Sequence, residues 1–214
     1  MKAAVAAAAM HGTQGFATGA THAREASDTD EALRAIAAAR ADVRTLTARF
    51  SQHRAIGLLA AEVKSEGRLW LVRPDKLRWE LAAPDSVTYW IGPFGLAVRS
   101  ADGVTKVGKA AAGRFGAVLD DLLVMLGGDL RTLAKRYAIE PKREGRELVL
   151  AFSPTDPERK KRLTRLVLRA SAEEPWRVVR IELFEPNGDK SDIAFNQVAK
   201  NEPIEASVMT PPAK

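Results

Sequence analysis

The chain has 214 residues, with 33 Lys and Arg against 27 Asp and Glu, a formal net charge of +6 and no cysteine. That composition excludes thiolate nucleophiles, disulfides and cysteine-ligated zinc, and the three histidines, His11, His22 and His53, give no pair at metal-ligand spacing. No stretch of the body is apolar for eighteen or more residues, so no helix is expected to span a membrane, and the length suits one domain with a sizeable core.

Met1-Lys2, an alanine-rich run, and small residues at Ala17, Gly19, Ala20 and Ala23 have the layout of a secretory leader. A disordered alanine-rich tail is the other reading of residues 1–26; residues 27–214 read as a single domain. Helix-start chemistry falls at Ser27 to Asp30, with Asp28 three residues before Glu31. Leu33, Ile36, Ala37, Val43 and Leu46 then recur at helical spacing, which predicts an amphipathic first helix.

Strands are predicted at about 47–57, 62–73, 76–83, 86–91, 95–100 and 103–108. Within them Leu69 and Leu71 point one way while Trp70 and Val72 point the other. Pro74-Asp75 then turns the chain, and Leu77, Trp79 and Leu81 share one face with Arg78 and Glu80 opposite. Pro74 cannot donate to a ladder, so it marks a strand end with Arg73 at the rim.

A second helix follows from Phe115, Val118, Leu119, Leu122, Met125 and Leu126, closed by Gly127-Gly128. A third is expected from Asp129, with Leu130, Leu133 and Tyr137 on one side. Five more strands are predicted at 137–142, 146–153, 163–170, 176–185 and 190–200, linked by short turns that imply antiparallel order. Such a sheet curls, and the helices are the only elements available to cover its concave side.

The basic run Arg159 to Arg162 follows a turn signal and reads as a solvated loop. The aromatics alternate into apolar faces instead of interleaving with basic residues, so nucleic acid is not an expected partner. Asp120-Asp121 and Glu173-Glu174 read as solvated charge, His53 as a rim or surface residue, and no glycine-rich phosphate loop follows a strand. An enzyme is not indicated, and no cofactor or metal is expected.

Phe50-Ser51-Gln52, Gly67 to Trp70, Arg73 to Glu80 and Pro84 resemble the opening strands of the LolA-type periplasmic lipoprotein carriers. The likeness continues through Gly127-Gly128-Asp129, "LVLAFSP" at Leu148 to Pro154, Gly188-Asp189 followed by "IAFNQVAKNEPI", and a terminal "SVMTPP". The resemblance implies an α+β fold, an unclosed antiparallel half β-barrel of about eleven strands with a lid of about three helices over an apolar cavity. It also implies a monomeric periplasmic carrier that takes acylated lipoproteins from an inner-membrane ABC exporter to an outer-membrane acceptor. In this family the arginine of the Arg-Pro step contacts the lid of the closed form and affects cargo release, which assigns a latch to Arg73.

Candidate cavity residues are Leu69, Leu71, Leu77, Trp79 and Leu81 on the sheet and Ile36, Leu119, Leu122 and Met125 on the helices. Two features depart from the family pattern. Arg40 interrupts the apolar stripe of the first helix where an aliphatic residue would face the latch, and the segment Tyr89 to Val107 turns later than usual. Carriage of another amphiphile, such as a glycolipid or biosynthetic lipid, and an envelope-stress sensor of lipid or lipoprotein are the alternative functions.

Overall fold

A computed structural model describes residues 16–57, 61–108 and 121–213. Helix α1 (Phe16–Ala39) leads into β1 (Thr45–Ile56), β2 (Ala61–Val72), β3 (Lys76–Leu81), β4 (Thr88–Gly92), β5 (Gly95–Ser100) and β6 (Gly103–Val107). Helix α2 (residues 121–127) and a 3-10 helix (Leu130–Lys135) then precede β7 (Tyr137–Glu144) and β8 (Glu147–Pro154). The short α3 (Pro157–Lys160), β9 (Arg165–Ser171), β10 (Val178–Phe184) and β11 (Lys190–Lys200) complete the order.

The eleven strands form one antiparallel sheet in the order β6-β5-β4-β3-β2-β1-β11-β10-β9-β8-β7. Two meanders, β1 to β6 and β7 to β11, are thus zipped together by the pairing of the first strand with the last. Strands β6 and β7 are the two edges, so the sheet is not closed into a barrel. The expected unclosed half-barrel of about eleven strands is what forms.

Period-two alternation makes one face of this sheet apolar from edge to edge. One row across it runs Ala48, Leu69, Trp79, Tyr89, Val98, and the next runs Leu46, Leu71, Leu77, Ile91, Leu96. Beyond the zipper the face continues as Ile193, Ile181, Leu168, Leu150, and as Leu183, Leu166, Phe152, Ile139. Gly67 sits directly between Phe50 and Leu81 because a side chain there would collide: an added Cβ would lie 2.2 Å from the Phe50 ring and from the Glu80 carbonyl. The Phe50 ring occupies that place and meets Trp79 at 4.1 Å between centroids, with Phe195 edge-on to both.

Helices cover this face. Leu33 and Ile36 of α1 and Leu123, Met125 and Leu126 of α2 are buried in one cluster with the sheet, together with Leu130 and Leu133 of the 3-10 helix. Gly127 lets α2 descend onto β2: a Cβ there would come within 2.9 Å of Leu71. On the opposite face the chain end makes a strap, where the Val208 carbonyl accepts from Arg78 Nη1 and Trp90 Nε1 while Met209 is buried.

Three local expectations are corrected. The first helix is already formed at Phe16, the first described residue, and does not start near Ser27, since the alanine-rich sequence sustains helix through Asp28. It ends at Ala39, so Val43 lies in the following turn and Leu46 in β1; their helical spacing was coincidental. The third helix is a 3-10 helix of two turns, N-capped by the Asp129 carboxylate, and Tyr137 already belongs to β7. The positions Phe115, Val118, Leu119 and Asp120, and residues 1–15 of the predicted leader or tail, lie outside the described residues.

Candidate functional site

The Arg-Pro step places Arg73 at the end of β2, level with the turn that connects α1 to β1. Its Nη1 donates to the carbonyls of Arg40 at 2.6 Å and Val43 at 3.1 Å, while its backbone N–H donates to Arg44 at 2.9 Å. Two bonds from one guanidinium nitrogen and one from the backbone clamp Arg73 onto three main-chain oxygens of a single turn.

The clamped turn carries a second arginine. Arg40 is 2 % exposed, and its guanidinium donates to Met125 at 3.0 Å and Gly128 at 3.1 Å, with Val124 at 3.5 Å. Those carbonyls lie at the C-terminal end of α2, where the helix dipole favours a cation; that of Val124 also accepts from the Gly128 N–H. Burial, with Arg73 nearby, pulls the Arg40 pKa down to about 10, against a raising influence from Asp129. The side chain therefore stays charged at neutral pH. The residue that broke the predicted apolar stripe is the tie between α1 and α2.

The first described turn of α2 is tied by a different group. Asp121 accepts from the Tyr137 hydroxyl at 2.6 Å, pairs with Arg136 at 2.7 Å and meets Arg159 Nε at 3.4 Å. Burial, then the bond to Asp121, pushes the Tyr137 hydroxyl well above the usual tyrosine range. Asp121 is buried, not the solvated carboxylate the sequence suggested, because Tyr137 and Arg159 fold against it from β7 and α3. Arg159 is itself aligned by Asp156, the N-cap of α3, so the basic run is partly anchored.

The cavity candidates come together under this tied cover. Ile36, Leu69, Leu71, Leu77, Trp79 and Met125 are buried in one cluster; Leu81 and Leu122 are partly buried against it. Leu119 is outside the described residues. In this closed arrangement the side chains pack on one another, and a groove of about 410 Å³ opens beside them between α1 and the β7–β8 hairpin, lined by Ala32, Ala35, Pro141 and Leu148 with Glu31 and Arg143 at its rim. His53 is exposed, as expected. Among the described residues no group of three His, Asp or Glu side chains is placed to hold a metal ion, and no helix is long and apolar enough to cross a membrane.

The site is an open antiparallel half-barrel, apolar on one face and roofed by helices pinned through arginine-to-carbonyl bonds. The model of the family "Outer membrane lipoprotein carrier protein LolA" matches residues 41–89, the segment that holds β1 to β3 and Arg73. The outer-membrane lipoprotein carrier protein of Chromohalobacter salexigens is 27% identical over 158 residues, covering 69% of this chain and 66% of the relative. Among solved structures, MucB superposes with a TM-score of 0.53 at 14% identity, covering 87% of this chain and 64% of MucB. A DUF1329 family protein from Desulfovibrio piger superposes with a TM-score of 0.50 at 9% identity, covering 87% of this chain and 97% of that protein. The chain spans just under two thirds of the carrier relative and of MucB. The chain is thus similar to the LolA carriers in part of its sequence and to the solved structures in fold.

Proposed function

We propose that the chain is a periplasmic, non-catalytic carrier that shields the acyl chains of lipoproteins and passes them from an inner-membrane ABC exporter to an outer-membrane acceptor. The observation that carries this reading is the way the cover is fastened. Arg73 and Arg40 hold it through main-chain oxygens at its ends, so the helices can lift from the concave face without breaking a strand pairing.

Lifting α2 exposes Leu69, Leu71 and Trp79 and removes Met125 and Leu126 from their partners, a cost that an incoming acyl chain offsets at roughly 0.8 kcal/mol per buried methylene. Acyl chains thereby substitute for the protein's own side chains. Release is the reverse, favoured because closing restores the helix contacts and the charge-assisted bonds of both arginines. No step in that exchange needs a reaction in the carrier.

The test is release of lipoproteins from spheroplasts by the purified protein. Diacylglyceryl-modified lipoproteins in a one-to-one soluble complex with the chain are expected. A supernatant free of them, from spheroplasts that release them to an authentic carrier, would refute the reading.

A further inference from the structure

The face of the sheet turned away from the helices carries a second polar constellation that lipoprotein shielding does not use. Arg49 on β1 and Arg68 on β2 are directly opposite each other, both exposed, and neither has an ion pair or side-chain hydrogen bond among the described residues. Like charges set directly across a strand pair are destabilising unless something neutralises them. The carboxylate best placed to do so is diverted: Glu80 lies opposite Arg68 on β3 but bonds to Arg78. Arg78 is fixed in turn between the rings of Trp70 and Trp90, 4.8 and 5.2 Å from their centroids. Glu202 and Glu205 of the strap accept hydrogen bonds from the Thr47 and Ser207 hydroxyls and make no ion pair with either arginine among the described residues.

The β11 side of this place is distorted. Register slips between Thr47 and Arg49, giving β11 an extra residue, and Gln197 adopts φ +48, a left-handed conformation unfavourable for its side chain. Bulges of this kind re-aim side chains, and strain of this kind gathers at binding sites. Here Gln197 lines two adjoining hollows. One, of about 610 Å³, is bounded by Arg49, Arg68, Ser51, Asn196 and Glu66; the other, of about 460 Å³, shares both arginines and runs under the strap.

We propose that this is a headgroup site for phosphoethanolamine. Two neighbouring guanidinium groups supply the N–H donors a tetrahedral phosphate requires, and Gln197 and Ser51 line the same hollow. Glu66 lies two residues from Arg68 on the same face of β2, about 7 Å along the strand, and has no partner of its own among the described residues. It is positioned for the ammonium at the other end of the same headgroup. The chemistry is shared by a free phosphoethanolamine and by a phospholipid bearing it.

The experiment titrates the full chain with phosphoethanolamine, inorganic phosphate and dihexanoyl-phosphatidylethanolamine below its micelle concentration, read by NMR at the Arg49 and Arg68 Nε–H groups and the Gln197 amide. Saturable shifts confined to these residues are expected, with affinity at least tenfold weaker in the Arg49→Gln/Arg68→Gln double variant. Glu66→Gln should bind inorganic phosphate as the parent does but lose the preference for phosphoethanolamine. All three positions are exposed, and unchanged thermal unfolding confirms that the variants fold. Tenfold tighter binding of the short-chain lipid assigns the site to a phospholipid, and equal binding assigns it to the soluble headgroup. No saturation at these residues, parental affinity in the double variant, or an unchanged preference in Glu66→Gln would each overturn the proposal. The site lies across the sheet from the acyl face, so lipoprotein release does not depend on the outcome.

Discussion

Replacing Arg40 with methionine keeps a long apolar stem in the turn after α1 and removes only the tie to α2. Two good charge-assisted bonds, to Met125 and Gly128, are lost, and at roughly 1.5 kcal/mol each they amount to about 3 kcal/mol. Part of that is returned, because a buried guanidinium whose pKa has fallen to about 10 no longer has to be desolvated, and its unpartnered Nε disappears. A net weakening of about 2 kcal/mol shifts the open–closed equilibrium of the cover roughly thirtyfold. The assay is native-state hydrogen exchange. Amides from residue 122 to Leu133 should exchange about thirtyfold faster, while those of Phe50 on β1 and Phe195 on β11 keep their protection, because the central zipper is untouched. Arg40→Lys should fall between, since an ammonium can reach one carbonyl but not fork across two. Equal acceleration in the sheet and the cover would show that Arg40 stabilises the whole fold and not the closure, refuting the latch.

Arg73→Leu should fold and load lipoprotein but hand it on poorly, measured as transfer to an outer-membrane acceptor; normal transfer removes Arg73 from the closing step. Aspartate at Met125 or Leu122 should lower acyl loading at least tenfold in the spheroplast assay, because the carboxylate would face an apolar surface. Gly67→Val should cost about 3 kcal/mol or more in denaturant unfolding, as the new side chain displaces the Phe50 ring and meets the Glu80 carbonyl. Glu144 is held below the ordinary glutamate range chiefly by its bond to Arg169, so its contribution to stability is present above about pH 4.5 and lost as pH falls through the depressed value. Arg169→Gln should therefore flatten the acid limb of the pH–stability profile while leaving the unfolding midpoint nearly flat above pH 6, as followed by thermal unfolding.

The sheet was readable because alternation is a local signal. Leu69, Leu71, Leu77 and Trp79 declared their face from their neighbours alone, and turn pairs such as Gly92-Pro93 and Asp102-Gly103 gave the hairpins their ends. Arg73 was found only through the resemblance, since an arginine before a strand-end proline is otherwise an ordinary rim residue. Arg40 and Asp121 were misjudged for one common reason: a charged residue is buried when remote groups satisfy it, and those groups, the end of α2 for one and Tyr137 with Arg159 for the other, lie 85 and 16 to 38 positions away. A signal did exist for Arg40. A guanidinium four residues beyond Ile36 in an apolar stripe, in a chain with a Gly-Gly helix ending, asks for a set of free carbonyls.

Because β6 and β7 exchange no ladder bonds, the spacing between them is not dictated by strand number and stagger as in a closed barrel. The arc can flatten or tighten with all ten strand pairings intact. On the carrier reading proposed above, a vessel of adjustable girth would admit guests of unequal bulk without a dedicated pocket for each.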